Sequence, residues 1–182
     1  MSRITALDPS QATGKSAELF TAVKSKLGVV PNLMRTLGHS PAVLEAYLGF
    51  SGALAHGVLP AKVREQLALA IGETNACDYC LSAHSLLGKG AGLTTETILD
   101  ARRVQAADPK TDALLKFAAA VVDARGQVTD EVLATVRAAG ASDAEIIEVI
   151  AHVALNTLTN YTNHIAQTVI DFPKAVALPA AV

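Results

Sequence analysis

Apolar residues recur at spacings of three and four along most of the chain, and strand-like alternation is scarce. In the segment KSAELFTAVKSKLG, for example, Leu19, Phe20, Val23 and Leu27 share one helical face before Gly28. This period is that of an amphipathic α-helix, whereas a half-buried strand alternates at every second residue. The spacing therefore predicts an all-α fold built as a compact helical bundle.

Proline and capping residues divide this pattern into separate helices. Pro41, Pro60 and Pro109 each stand at the head of a periodic segment, where the missing N–H of proline costs nothing. Ser142 and Glu145 form the sequence pattern of a capping box, which predicts the start of the last helix. We expect that helix to run towards Pro173.

The chain is long enough to fold without a disulfide or metal staple. We predict a single domain over residues 1–182, with a helical core of about 15–173, because no low-complexity linker interrupts it. Residues 105–110 are the one candidate boundary. The tail KAVALPAAV has no periodicity, and we expect it to pack only against a partner.

Composition limits the classes of partner. The formal net charge is −2 and hydrophobic residues make up 51% of the chain. No basic patch favours nucleic acid, no long apolar run favours a membrane, and the polar start lacks a secretory signal, so we expect a cytoplasmic protein. The high apolar content indicates surface buried between subunits, and therefore a homo-oligomer.

The segment ETNACDYCLSAH contains both cysteines of the chain, with a histidine one helical turn after the second. If a helix restarts near Asp78, Cys77 lies at its N-terminus and Cys80 in its first turn. The positive end of the helix dipole favours a thiolate there, and this geometry alone makes Cys77 the more exposed one. His84 falls on the same face as Cys80 and could relay a proton to or from it.

Such a pair suits thiol redox chemistry. A thiolate attacks a peroxide oxygen to give a sulfenic acid, and the neighbouring thiol condenses with it to form a disulfide that an external dithiol must reset. Of four other interpretations, two stay open and two fail. Zinc could use Cys77, Cys80 and His84 but lacks an evident fourth ligand, and two inert buried cysteines are common. Covalent haem is excluded because Leu81 follows Cys80, and a thioredoxin domain would need strands before the motif.

Glu65, Cys77, Cys80 and His84 stand in the spacing E-x11-C-x2-C-x3-H within REQLALAIGETNACDYCLSAH. This pattern resembles the alkylhydroperoxidase AhpD-like branch of the carboxymuconolactone decarboxylase superfamily. The segments LGVVPNLMRTLGHSPAVLEAYLGFSGAL and NTLTNYTNHIAQTVIDFP are also similar to its peroxidase-related members. The resemblance covers most of residues 25–173.

The resemblance implies an all-helical, oligomeric peroxidase, a trimer or a hexamer, that reduces hydroperoxides without a metal or cofactor. It implies that Cys80 is the peroxidatic thiol, that Cys77 resolves it, and that Glu65 and His84 form the proton relay. The implied reductant is a lipoyl-type dithiol or another thiol system. A lactone decarboxylase and a non-enzymatic redox sensor or metal-binding oligomer remain the alternatives.

Tyr79 departs from the family pattern, because the best-studied members have a histidine between the two cysteines. A phenol has a pKa near 10 and cannot shuttle protons as imidazole does, although it can donate a hydrogen bond. We expect Tyr79 to be a packing residue or to line the site.

The remaining polar candidates lie farther from the motif. His164 and Asn160, in the segment NYTNH, are predicted to line the site. His39 and His56 fall at predicted loop or helix-end positions and should face solvent. His152 lies among apolar residues and is expected to be a satisfied core histidine.

Overall fold

The computed structural model describes residues 2–178, and every regular element in that range is a helix, which confirms the all-α prediction. No helix there combines the length and hydropathy needed to span a bilayer. The helices are α1 (Gly14–Leu27), α2 (Asn32–Leu37), α3 (Pro41–Leu54), α4 (Ala61–Thr74), α5 (Asp78–Gly90), α6 (Thr95–Arg102), α7 (Pro109–Asp123), α8 (Asp130–Ala138) and α9 (Asp143–Ala166).

Local signals account for most of these boundaries. Ser142 Oγ accepts from the backbone N–H of Glu145, and the Glu145 carboxylate accepts from that of Ser142, so the predicted capping box is confirmed. Gly28 ends α1 with φ of 79°, a left-handed conformation that glycine adopts without the usual Cβ penalty. Pro41 and Pro109 open α3 and α7 as predicted.

The main core surrounds α4, which packs against α5, α6, α7 and α9. Leu67, Leu69, Ala70 and Ile71 of α4 are all 0% exposed, so this helix is enclosed rather than amphipathic. Burying a Leu or Ile side chain contributes about 1.5 to 3 kcal/mol. The helix that carries Glu65 is therefore rigidly held.

A second cluster lies where the N-terminal helices meet α5. Phe20, Leu33 and Leu44 of α1, α2 and α3 pack against Cys77 and Cys80. The approach is close, since a Cβ added at Gly38 would collide with the Phe20 ring. These helices thus form the cover over the cysteine pair.

The C-terminal end differs from the prediction. The last helix ends at Ala166 because Gln167 turns left-handed, with φ of 47°. The chain then folds back along its own helices: Ala175 N–H donates to Ser82 Oγ at 3.2 Å, and Arg102 donates to the Val176 carbonyl. The expectation that this tail packs only against a partner is wrong for 174–178, and its last four residues lie outside the described range.

Candidate functional site

The link between α4 and α5 sets the position of the cysteines. Ala76 takes a left-handed conformation with φ of 52°, and the Cys77 N–H donates to the Gly72 carbonyl at 2.8 Å. Both cysteines are free thiols and each is 2% exposed. The prediction that Cys77 is the more exposed of the two is wrong, because the tight link and the N-terminal helices bury both sulfurs.

Polar side chains of α9 surround the Cys80 sulfur. Asn163 Nδ2 donates to Cys80 Sγ at 3.3 Å and lies 4.0 Å from Cys77 Sγ. Cys80 Sγ is 3.9 Å from Thr159 Oγ1. Asn163 and Thr159 were not among the predicted site residues, although both lie within one helical turn of Asn160, which was.

These contacts shift the pKa values of the two thiols in opposite directions. The hydrogen bond from Cys77, followed by the neighbouring polar side chains of Asn160, Asn163 and Thr159, lowers the pKa of Cys80 even though burial acts to raise it. The hydrogen bond with Cys80, together with burial, raises the pKa of Cys77. The arrangement therefore favours a thiolate on Cys80 that accepts from a protonated Cys77.

Glu65 and His84 meet across α4 and α5, with 2.8 Å between Glu65 Oε2 and His84 Nδ1. The two side chains are 22% and 23% exposed. Burial acts to lower the pKa of His84, but the charge of Glu65 and its hydrogen bond raise it overall. A protonated imidazole beside a carboxylate is thus the favoured state.

His84 makes no direct hydrogen bond to Cys80, whose sulfur contacts Thr159 and Asn163 instead. The sequence placed His84 beside Cys80 by helical spacing, and the structure brings the two to one cavity rather than into contact. A proton would pass between them through a bound molecule or a water.

That cavity has a volume of about 370 Å³ and lies between the N-terminal helices and α5. Its polar side includes Cys80, Glu65, His84 and Tyr47, and burial raises the pKa of Tyr47 to about 12. The rest is mostly apolar. The lining includes Leu27, Val29, Leu33, Met34, Ala83, Leu86, Leu87 and Phe172.

Tyr79 anchors the C-terminal segment. Its hydroxyl accepts from the Leu33 N–H at 3.0 Å and donates to Asp171 Oδ1 at 2.8 Å. Its ring meets Phe172 edge to face, with 5.6 Å between centroids. Burial raises the pKa of Tyr79, so the phenol stays protonated. The side chain connects α2 to the C-terminal segment and also lines the cavity.

Asn160 and His164 both approach the link between α4 and α5. Asn160 is 0% exposed, its Oδ1 accepts from Asn75 Nδ2 at 2.8 Å, and its Nδ2 has no hydrogen-bond partner. His164 is exposed, with its Nε2 2.9 Å from the Asn75 carbonyl oxygen. Asn160 therefore lies by Cys80, whereas His164 lies on the other side of the pair.

The other histidines lie away from the cysteines. His39 and His56 are exposed as predicted, and His39 Nε2 lies 2.8 Å from the Thr5 carbonyl oxygen. His152 is buried as predicted, at 5% exposure. The expectation that it is satisfied is wrong, because its Nε2 has no hydrogen-bond partner.

Within residues 2–178, no group of three or more His, Cys, Asp or Glu side chains is arranged to hold a metal ion. His84 is engaged by Glu65, and Glu73 is bound at 2.6 Å by Arg102. The side chains nearest the cysteines are amides and a hydroxyl. These suit the stabilisation of a sulfur anion through hydrogen bonds.

Residues 41–124 match the carboxymuconolactone decarboxylase family. The matched region contains Glu65, both cysteines and His84. The family match is to this region of the chain, and the fold of the chain as a whole is that of an alkylhydroperoxidase AhpD core protein. An uncharacterized protein of Haemophilus influenzae is 41% identical over 69 residues, which are 37% of this chain and 61% of that protein. The chain thus spans less than two thirds of the length of this relative.

Three solved structures share the fold. An uncharacterized peroxidase-related protein of Ralstonia eutropha with an alkylhydroperoxidase AhpD core has a TM-score of 0.83, 24% identity, and coverage of 93% of this chain and 92% of that one. A peroxidase-related protein of Silicibacter has a TM-score of 0.78, 23% identity and 92% coverage of both chains. A variant of the debrominase Bmp8 in complex with 2,3,4-tribromopyrrole has a TM-score of 0.79, 22% identity, and coverage of 94% and 92%.

Proposed function

We propose that this chain is a thiol-dependent peroxidase that reduces hydroperoxides through Cys80 and Cys77. The observation that carries the proposal is the polarised pair: Cys80 Sγ accepts from Asn163 at 3.3 Å and lines the cavity that also contains His84. A thiol with a lowered pKa that lines a cleft is the usual setting of a nucleophilic cysteine.

In the first step the Cys80 thiolate attacks the outer oxygen of R–O–OH. A sulfur–oxygen bond forms, the O–O bond breaks, and the electron pair leaves with R–O⁻. Cys80 becomes a sulfenic acid, so sulfur is oxidised by two electrons and the peroxide is reduced by two. The alkoxide needs one proton to leave as the alcohol.

His84 is positioned to supply that proton. The adjacent Glu65 raises the pKa of His84 and so favours the protonated imidazole over the neutral one. Glu65 also holds Nδ1 through its hydrogen bond, which leaves Nε2 as the nitrogen available for transfer. Glu65 is therefore a positioning residue and His84 the general acid.

In the second step the Cys77 sulfur attacks the Cys80 sulfenic acid. A disulfide forms and the oxygen leaves as water, with one proton taken from the Cys77 thiol. The raised pKa of Cys77 keeps that proton in place until the sulfenic acid has formed. A dithiol, lipoyl-type or from another thiol system, then restores the two thiols.

The lining of the cavity favours hydroperoxides that carry an apolar group. Leu33, Met34, Leu86 and Phe172 offer surface that hydrogen peroxide cannot use. Each buried CH₂ group of a substrate adds roughly 0.8 kcal/mol of binding. We expect activity to rise from hydrogen peroxide to tert-butyl and cumene hydroperoxides.

We further propose that the chain works as a homo-oligomer, a trimer or a hexamer, in the cytoplasm. One outer face of α9 supports the assembly, because it exposes a continuous row of apolar side chains at helical spacing. The row comprises Ile147, Ile150, Leu158, Tyr161 and Ile165. Dithiol reductants are abundant in the reducing cytoplasm.

The test is a peroxide-consumption assay against a panel of dithiols and monothiols. Cys80→Ser should abolish turnover, and Cys77→Ser should stop it after one equivalent, with a sulfenic acid that a 1,3-dione probe traps. Thr162→Val is the matched control on α9, since the Thr162 hydroxyl bonds only to the Leu158 carbonyl of its own helix. Full turnover by Cys80→Ser would disprove the proposal.

A second candidate reaction is thiol-dependent removal of a halogen from a small aromatic compound. The fold similarity to the debrominase Bmp8 and the apolar character of the cavity favour it. Conversion of Ar–Br and two thiols into Ar–H, bromide, a proton and a disulfide uses the same cysteine pair. Bromide release from 2,3,4-tribromopyrrole, measured beside peroxide consumption, decides between the two reactions.

A further inference from the structure

The two cysteines line different hollows of the surface. The apolar cavity is lined by Cys80 and not by Cys77. A second hollow, of about 320 Å³, is lined by Cys77 and not by Cys80. Its other members include Asp78, Asn163, His164, Gln167 and Thr168, so it is polar where the first cavity is apolar.

The direction of approach decides which sulfur a thiol attacks. In thiol–disulfide exchange the incoming sulfur approaches in line with the bond that breaks. A thiol that enters the polar hollow meets Cys77 and would expel Cys80. A thiol that enters the apolar cavity meets Cys80 and would expel Cys77. Both cysteines are 2% exposed, so exposure alone does not distinguish them.

The leaving group does distinguish them. Cys80 Sγ, once expelled, is received by the Asn163 amide at 3.3 Å and faces the Thr159 hydroxyl. The contacts with Asn163 and Thr159 lower the pKa of Cys80 and persist when Cys77 carries the donor sulfur, whereas burial raises the pKa of Cys77. The thiol of lower pKa leaves faster, which favours attack on Cys77.

We propose that the reducing dithiol enters the polar hollow between the start of α5 and the end of α9 and attacks Cys77. The inference rests on the proposed function, because it requires the pair to cycle through a disulfide. It adds a separate entrance for the reductant. The hydroperoxide and the dithiol would then reach one cysteine pair from opposite sides.

The reduction takes place in two successive exchanges. A donor thiolate bonds to Cys77 Sγ, the Cys77–Cys80 bond breaks, and its electron pair goes to Cys80 Sγ. The second donor thiol then attacks the first donor sulfur and expels Cys77, which takes up a proton. The protein disulfide gains two electrons and the donor leaves as its own disulfide.

The hollow fits a dithiol borne on a longer polar carrier. Gln167 at its rim is exposed and its side-chain amide can donate a hydrogen bond to an incoming amide or carboxylate, whereas Nε2 of His164 is already engaged by the Asn75 carbonyl. A reductant bound there does not compete for the apolar cavity. A dihydrolipoyl group, whose dithiol stands at the end of an amide-linked arm, has this chemistry.

The decisive experiment locates the mixed disulfide. Full-length protein is oxidised with diamide, so the disulfide does not depend on peroxidase activity, and is mixed briefly with one equivalent of 2-mercaptoethanol, a monothiol that can complete the second exchange only through a second molecule. Iodoacetamide then alkylates the freed cysteine, and tandem mass spectrometry reads each position. We expect mercaptoethanol on Cys77 and the alkyl group on Cys80.

The reverse labelling in the majority of molecules would overturn the inference, as would failure of diamide to link the cysteines. Diamide could form the disulfide and Cys77 could carry the adduct while hydroperoxides do not form the disulfide. That result would contradict the proposed peroxidase function but would still support Cys77 as the attacked sulfur. The two failures are therefore distinguishable.

Two matched variants test the entrance itself. Gln167→Trp fills the polar hollow, and Leu87→Trp fills the rim of the apolar cavity; both positions are exposed. With dihydrolipoamide, Gln167→Trp should slow disulfide reduction several-fold and more than it slows oxidation by cumene hydroperoxide. Leu87→Trp should show the opposite ratio. If Gln167→Trp fails to fold, His164→Trp replaces it, and equal effects on both half-reactions would count against a separate entrance.

Discussion

The core around α4 and the cluster around the cysteines are buried to a similar degree but are built differently. The first consists of apolar side chains such as Leu69 and Ile71, both 0% exposed. The second places two thiols against α9 residues that include Asn160 and Asn163, and leaves Asn160 Nδ2 and Asn163 Oδ1 without hydrogen-bond partners. An unsatisfied buried polar atom costs about 1 to 3 kcal/mol. The polar groups beside the sulfurs thus lower the stability of the cysteine cluster, a cost that the apolar α4 core does not carry.

Replacement of Leu69 by Ala should have the largest effect on stability. The cavity left in the α4 core should cost about 2 to 5 kcal/mol of unfolding free energy, measured by urea denaturation. Cys80→Ser, nearly isosteric and in the other cluster, should change stability far less while it removes activity. Similar losses of unfolding free energy in the two variants would contradict the proposed difference between the α4 core and the cysteine cluster.

Tyr79→Phe should destabilise the cover over the cysteines by about 1 to 3 kcal/mol. The change leaves the Leu33 N–H and the Asp171 carboxylate without their shared hydroxyl. Unfolding in urea measures the loss. Because we assign Tyr79 a structural role, kcat for peroxide reduction at low temperature should remain near that of the unchanged chain, and a large loss of kcat would contradict that role.

Asn163→Leu should raise the pKa of Cys80 by roughly one unit, because a hydrogen bond to a charged group is lost. The rate of iodoacetamide alkylation, followed against pH in Cys77→Ser protein, measures this pKa. The rate of peroxide consumption rises as the pH passes through the pKa of the attacking thiol. This rise should therefore shift to higher pH by the same amount. Thr162→Val is the control, since the Thr162 hydroxyl bonds only to the Leu158 carbonyl of its own helix.

Glu65→Gln should lower the pKa of His84, because burial then acts without an opposing carboxylate. An NMR titration of the His84 ring follows the shift directly. Loss of the protonated form near neutral pH should slow the first step while diamide still forms the disulfide. An unchanged His84 titration would show that the carboxylate does not set its charge.

Part of the site was predictable from the sequence because its signals are local. The cysteines lie at the start of α5 and His84 one turn later, so spacing identifies these three, whereas Glu65 on α4 was identified through the resemblance to the family pattern. The helices followed from apolar periodicity, proline positions and the Ser142 capping box. The exceptions, such as the end of α9, depend on contacts with residues far along the chain.

The sequence by itself determined the helical class and the paired thiols with a histidine one turn later, because each depends on neighbours within about one helix. Only the tertiary structure decided how the two cysteines differ. Asn163 lies 83 residues from Cys80 in sequence yet donates to its sulfur, and Asp171 lies 92 from Tyr79. Which thiol loses its proton, and from which side each is reached, depends on the packing of α9 and the C-terminal segment against α5, which no local pattern encodes.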